Sequence, residues 1–289
     1  MPRRLNRFWA VRFCLALSLL LWPAAVTPQE ASAPPQLTVA EKEEFLLKGK
    51  FISERTVPVG ITRPLQASME YNGLRHDAHV QTINERKTSL QTAIRTEFNF
   101  RDYFGFNVVA YEIDRLLALG MSPPCVARSY KGREAAICWW VDNVLMMEVD
   151  RMKKKIAPPD VDNWNQQMYA VRVVNQLIAD TDPNLTNLLI TRDWRIWTVD
   201  RTRAFRMQTK LENPKNLLAA SGIGMCERRL LAKLRELDIN VLRQRVGRYL
   251  TGPEADGLEG RRKVIVQFFD EQIAKHGEAA VLYDLPPRG

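Results

Sequence analysis

Between Ile178 and Phe205 the sequence reads IADTDPNLTNLLITRDWRIWTVDRTRAF, and three of its side chains have types and spacing suited to chemistry on a phosphate. Asp182 precedes Asn187 by five residues and Asp200 by 18. Phosphoryl transfer asks little covalent chemistry of a protein. It needs one carboxylate to orient or deprotonate the incoming hydroxyl, and an amide with a second carboxylate to hold a divalent cation against phosphate oxygens. Asp182 is the candidate for the first task, Asn187 and Asp200 for the second. The same residues also admit a plain structural use, in which Asp180 and Asp182 end a helix while Asn184 and Asn187 satisfy a turn.

Holding these groups together takes a helix, a loop and a hairpin. Trp164, Met168, Val171, Val174 and Ile178 keep one helical face from about 162 to 179, after Pro158 and Pro159. A loop then carries Asp182 and Asn187. The apolar runs LLIT and RIWTV read as strands pairing around Arg192 and Asp193, which returns Asp200 toward Asn187. Upstream, TVAEKEEFLLKG reads as a short helix capped by Thr38 and ended by Gly49. Asn72-Gly73 is the strongest hairpin signal in the chain. Phe106, Val109, Ala110, Ile113, Leu116 and Leu117 predict a core-facing helix over Arg101–Leu119, closed by Gly120, Pro123 and Pro124. Downstream, three further helices are expected, separated by Asp238 and by TGPEADG. The change of period near Asp142 predicts a two-lobed α+β fold. Its sheet-rich N-lobe spans 34–141 and its helical C-lobe 142–289, with the segment 180–205 at the cleft between them.

TDPNLTNLLI followed by IWTVD resembles the catalytic loop and metal-binding aspartate of the protein kinase fold, the H-R-D-x-x-x-x-N and D-F-G pair, at the usual separation. FNVVAYEIDRLLALGMSPPCV resembles the regulatory helix and following strand of the atypical, secretory-pathway kinases that phosphorylate secreted proteins, and VDRTRAF fits that branch better than D-F-G does. The resemblance runs from about Leu65 to Phe205. It implies Asp182 as catalytic carboxylate, Asn187 and Asp200 as metal ligands, Mg or Mn with ATP as cofactors, and the backbone around Trp140 and Val141 facing the adenine. It also exposes departures. Gln81 falls where the phosphate-contacting strand lysine is expected, and Asn107 falls at its helix glutamate partner. Glu112 and Lys87 are the other charged candidates for that pair, and Pro183 stands where many relatives carry a basic residue. Two functions follow. One is an exported phosphotransferase moving the γ-phosphoryl of a nucleotide to a protein or small-molecule hydroxyl. The alternative is a pseudokinase, a binding module that keeps the fold without phosphate handling.

Composition sets the surroundings. With 289 residues, 46% hydrophobic and 26% charged, the chain is of ordinary globular composition. Arg3, Arg4, Arg7 and Arg12 precede the apolar run FCLALSLLLWPAAV, and an Ala/Ser/Pro-rich stretch follows, the layout of a secretory leader over residues 1–33. Its apolar core is short for a span, so cleavage is expected with no stable transmembrane helix left; an uncleaved segment would instead anchor the domain. Either way the domain is expected outside the cytoplasm, periplasmic or extracellular. Loss of the leader lowers the formal charge from +9 to +6, through four arginines and Glu30. The remaining basic residues are scattered without interleaved aromatics, which argues against a nucleic-acid partner. In an oxidising compartment Cys125 and Cys138, symmetric about Lys131-Gly132, face each other across a hairpin as a disulfide or as two buried thiols. His76 and His79 read as surface or edge histidines of a strand rather than zinc ligands.

Overall fold

The computed structural model describes residues 37–56, 65–91, 96–216 and 222–288. The expected leader, residues 1–33, lies outside them. Helix α1 (Val39–Lys48) opens the described chain, with a capping box in which Thr38 and Glu41 satisfy each other's backbone amides. Strands β1 (Lys50–Thr56), β2 (Leu65–Tyr71), β3 (Leu74–Gln81), β6 (Cys125–Tyr130) and β7 (Arg133–Trp139) form one sheet in the order β1-β2-β3-β7-β6. Both predicted tight hairpins therefore belong to the same sheet. Asn72 and Gly73, and likewise Lys131 and Gly132, adopt the positive φ that such turns require. The α1 residues Phe45 and Leu46 bury against one face of this sheet, on Met69, Val80, Ile137 and Trp139.

A second, separate hairpin pairs β4 (Asn84–Gln91) with β5 (Thr96–Tyr103). It corrects the helix expected from Arg101. Asp102 and Arg101 pair with Glu85 and Arg86, and helix α2 begins only at Gly105 and ends at Leu116. The apolar periodicity begins at Phe106 and is real; what it lacks is a start signal, because the N-terminal residue Phe104 makes no side-chain cap. At the other end Ala118 turns left-handed, and buried Asp114 accepts hydrogen bonds from the amides of Met121 (3.0 Å) and Ser122 (3.1 Å). Burial pushes the Asp114 carboxyl up to about 6 despite those bonds.

The second half is mainly helical. Strand β8 (Val144–Met147) leads into α3 (Glu148–Lys154) and α4 (Val161–Ile178), and β9 (Leu188–Thr191) pairs with both β8 and β10 (Ile196–Thr198). After a two-residue strand β11 (Cys226–Glu227) come α5 (Arg228–Glu236), α6 (Ile239–Val246), α7 (Gly252–His276) and α8 (Glu278–Val281). The stretch TGPEADG does not separate two helices; it is the first two turns of α7, begun by a Thr251/Glu254 capping box with Pro253 in the first turn. Its second glycine, Gly257, serves contact rather than a turn. A Cβ on Gly257 would stand 2.7 Å from the Met207 carbonyl and 2.8 Å from that of Arg206. The large core runs from α2 through α4 to α7 and includes Phe106, Ile113, Leu177, Phe205, Leu258 and Phe269.

Candidate functional site

Between the sheet and the helical half lies a cavity of about 340 Å³. Its wall includes Trp140 and Val141 from the connection after β7, Val144, Met147 and Leu189 from the small sheet, and Asn107, Asn187 and Asp200 at the polar end. Five of the seven site residues named from the sequence thus border one space. Asp182 and Gln81 do not line it.

The connection after β7 is held rigidly. The Trp140 amide donates to the Asp77 carbonyl at 3.2 Å and the Trp139 amide to that of Pro124 at 2.7 Å. His76 stacks on Trp139 with ring centroids 3.7 Å apart, and its Nε2 lies 2.9 Å from Asp142 Oδ1. That bond holds the Asp142 carboxyl below its ordinary range. His79 forms part of the cavity wall, and burial pushes its imidazole down to about 4, keeping it neutral. Neither histidine is an edge residue, because β3 is an interior strand between β2 and β7. The sulfurs of Cys125 and Cys138 form a cross-strand disulfide, with Cα atoms 3.9 Å apart and directly opposite in register. Both cysteines also border the cavity.

At the polar end the chain separates structural acids from available ones. Helix α4 ends on left-handed Ala179. Buried Asp180 then accepts the Asp182 amide at 2.9 Å and pairs with Arg201 at 2.5 Å, so this aspartate has the structural role. Asn184 accepts the Thr186 amide at 3.0 Å and starts a short 3-10 turn through Asn187. Asp182 is used differently. Its side chain is 45% exposed and its nearest cation is Arg203, at 3.5 Å. Asn187 reaches the Asp200 carbonyl only at 3.4 Å and the Thr186 hydroxyl at 3.5 Å, while its own carbonyl accepts the Val199 amide at 2.9 Å. The backbone bond fixes the Asn187 position, and the long side-chain contacts leave its amide available.

Asp200 has a φ of 54°, which a short polar side chain tolerates better than most. Burial pushes its carboxyl up; the Thr202 hydroxyl, 3.2 Å from Oδ1, opposes this, and the charges of Asp180 and Asp182 add to the rise. Asn107 steadies the same turn, its Oδ1 accepting the Arg201 amide at 2.7 Å, while its Nδ2 is buried with no hydrogen-bond partner. Gln81 holds its own strand end: its Oε1 accepts the amides of Thr82 (3.0 Å) and Ile83 (3.1 Å). The side chain of β3 that reaches the cavity is His79, two residues earlier on the same face, which strand alternation alone could have indicated.

Sequence reasoning also missed the clamp that β5 provides. Glu97 accepts from Arg203 and Arg206, each at 2.9 Å, and the Tyr103 amide donates to the Thr202 carbonyl at 2.9 Å. Asp102 is buried at 7% exposure with Oδ1 unpartnered; burial raises its carboxyl, against a bond from Thr202. No local motif marks these residues, since the contacts span about a hundred positions of sequence. Among the described residues no group of three or more His, Cys, Asp and Glu could cage a metal ion.

No protein-family model matches the chain, and no curated protein matches it by sequence. Solved structures do match. A hydra Fam20 structure with sugar superposes with a TM-score of 0.62 at 10% identity, over 85% of this chain and 92% of that one. The Golgi casein kinase gives 0.59 at 11% identity, over 86% and 80%, and its form with Mn/ADP bound gives 0.57 with the same identity and shares. At such identities the likeness is one of fold. The chain has an atypical protein-kinase-like fold, with a sheet-rich N-lobe and a helical C-lobe, of the kind seen in the secretory-pathway kinases.

Proposed function

We propose that the chain is a phosphotransferase that moves the γ-phosphoryl of ATP to a hydroxyl of a protein or small molecule outside the cytoplasm. The observation that carries this reading is the single cavity bordered by Trp140, Val141, Asn187 and Asp200, with Asp182 close enough for its charge to act on Asp200. The apolar end, with Val144, Met147 and Leu189, suits a purine ring, and the backbone of Trp140 and Val141 is the edge available to it.

The donors at the polar end suit magnesium or manganese. A carboxylate oxygen from Asp200 and the amide oxygen of Asn187 are hard ligands, and two such groups fall short of a cage. That is the arrangement expected of an ion completed by phosphate oxygens and water. Glu97, Asp102, Asp182 and Asp200 outnumber Arg203 and Arg206 here, so a divalent cation also balances the local charge. When bound, the ion neutralises phosphate charge. The chain's own residues do the rest: Asp182 receives the proton of the acceptor hydroxyl, Asn107 fixes the Asp200–Arg201 turn, and the stacked His76 and Trp139 stiffen the connection beside the base. A solved neighbour with Mn/ADP bound supports the choice of metal and nucleotide. The Cys125–Cys138 disulfide supports an oxidising compartment, periplasmic or extracellular, reached through the leader at residues 1–33.

A second reading has its own observation. Gln81 and Asn107 are both engaged in holding backbone, and neither is cationic or anionic, which favours a pseudokinase module that binds without transferring. Titration of a non-hydrolysable ATP analogue with and without Mg²⁺ or Mn²⁺ tests the common premise. Metal-dependent binding is expected. Failure to bind with either ion removes both readings, and binding without transfer to any acceptor or water selects the module.

A further inference from the structure

The phosphotransferase reading, on which this inference rests, requires positive charge at the terminal phosphate as well as at the metal. The expected sources do not provide it. Thr181, Pro183 and Asn184 flank Asp182, and none is cationic. Gln81 stands at the strand position and is neutral. Lys87 lies on the exposed strand β4, its Nζ 3.1 Å from Glu85 and over the Phe100 ring. Arg201 borders the cavity but is buried, and its Nη1 is taken up at 2.5 Å by Asp180 and 2.7 Å by Asn175.

Arg203 is placed otherwise. It follows Asp200 by three residues on the same loop, and its Nη1 is 3.5 Å from Asp182 Oδ2. Its Nη2 is fixed by Glu97 at 2.9 Å, and the guanidinium lies 5.3 Å from the Phe100 ring centroid. Its Nε is buried without a partner, yet 22% of the side chain is exposed, so the group is anchored and still reachable. Glu97 is shared with Arg206, so one carboxylate faces two guanidinium groups. Besides Glu97, the carboxylate in ion-pair range of Arg203 is that of Asp182, at a loose 3.5 Å and in partial contact with water.

We propose that Arg203 binds the terminal phosphate of the nucleoside triphosphate and supplies the cation that Gln81 does not. In the transfer step the acceptor oxygen forms its bond to phosphorus and gives its proton to Asp182. The bond from phosphorus to the bridging oxygen breaks, and its electron pair leaves with the nucleoside diphosphate. Arg203 donates hydrogen bonds to the oxygens of the phosphoryl group in flight and exchanges no proton.

The test compares a non-hydrolysable triphosphate analogue with ADP, both with Mn²⁺, in the parent chain, Arg203→Gln and Arg203→Lys. The parent is expected to prefer the triphosphate. Arg203→Gln should lose about tenfold of that preference, the scale of a charge-assisted hydrogen bond, with ADP affinity unchanged, and Arg203→Lys should keep most of it. Should the glutamine variant not fold, labelling of the parent by an arginine-selective dicarbonyl gives the same answer. Arg203 should be protected by the triphosphate and not by ADP. An unchanged preference in Arg203→Gln, or equal labelling with both nucleotides, overturns the proposal while leaving nucleotide binding standing; a parent that binds neither nucleotide removes the underlying reading and this proposal with it.

Discussion

The two ends of the cavity are built on different principles. The apolar end is covalently tied: Val141, Val144, Met147 and Leu189 share the cavity wall with a disulfide, and the adjoining connection is held by stacking of His76 on Trp139. The polar end is made of charged and polar groups that fix one another, with Arg201 on Asp180, Arg203 and Arg206 on Glu97, and Thr202 on Asp200. The first end can lose a contact and keep its shape, because packing is distributed over many atoms. The second cannot, since each buried charge relies on one or two partners and removal of either leaves the other uncompensated. Shape at one end and electrostatics at the other should therefore fail separately under mutation.

The largest separation is expected from the two aspartates. Asp200→Ala should abolish metal-dependent nucleotide binding with secondary structure retained, as read by titration and circular dichroism. Asp182→Ala should leave nucleotide affinity in place and lower transfer about a hundredfold or more, as expected for a positioned base. If both variants merely lost stability, the polar end would be a structural hairpin and the contrast would disappear.

Next comes the disulfide. Its cysteines are 13 residues apart, and replacing both with serine should cost about 3 kcal/mol at most, seen as a lower melting temperature that reductant no longer shifts. Because both cysteines border the cavity, affinity for adenosine should weaken with it, while the preference for triphosphate over diphosphate should not.

Asp114, in the last turn of α2, supplies a pH test. Its carboxyl is raised from 3.8 to about 6, so between those values the folded chain holds a proton that the unfolded chain has released. Stability should then fall as pH rises through that window, by up to about 3 kcal/mol. Denaturant melts of Asp114→Asn at both ends of the window should show the decline flattened, since the amide still accepts the Met121 and Ser122 amides and carries no charge.

The smallest effect is expected at Gln81→Lys. The change removes the acceptor of the Thr82 and Ile83 amides, at a cost of about 1–3 kcal/mol, and should raise nucleotide affinity little. A strong gain in affinity would show that a lysine here can reach the phosphates and would identify the chain as a module that lost this one function.

Local signals account for much of this molecule. Thr38 with Glu41 starts α1, Asn72-Gly73 and Lys131-Gly132 turn two hairpins of one sheet, and the symmetric placement of Cys125 and Cys138 about the turn sets them opposite each other. Asp182, Asn187 and Asp200 were legible as a spacing, because a five-residue turn and a tight hairpin are short-range structures that a sequence specifies nearly by itself. Other features were decided only by tertiary contact. Gly257 reads as a helix breaker until the carbonyls of Arg206 and Met207 are seen packed against it. Asp180 and Asp182 are chemically identical and two residues apart, yet one is buried on Arg201 and the other half-exposed beside Arg203. Glu97 and Asp102 carry no motif at all and act on residues about a hundred positions away. The physical reason is one of range. Capping, turn formation and alternation depend on a few neighbouring dihedrals and were determined by the sequence alone, whereas burial and charge pairing depend on which distant segments the fold brings together.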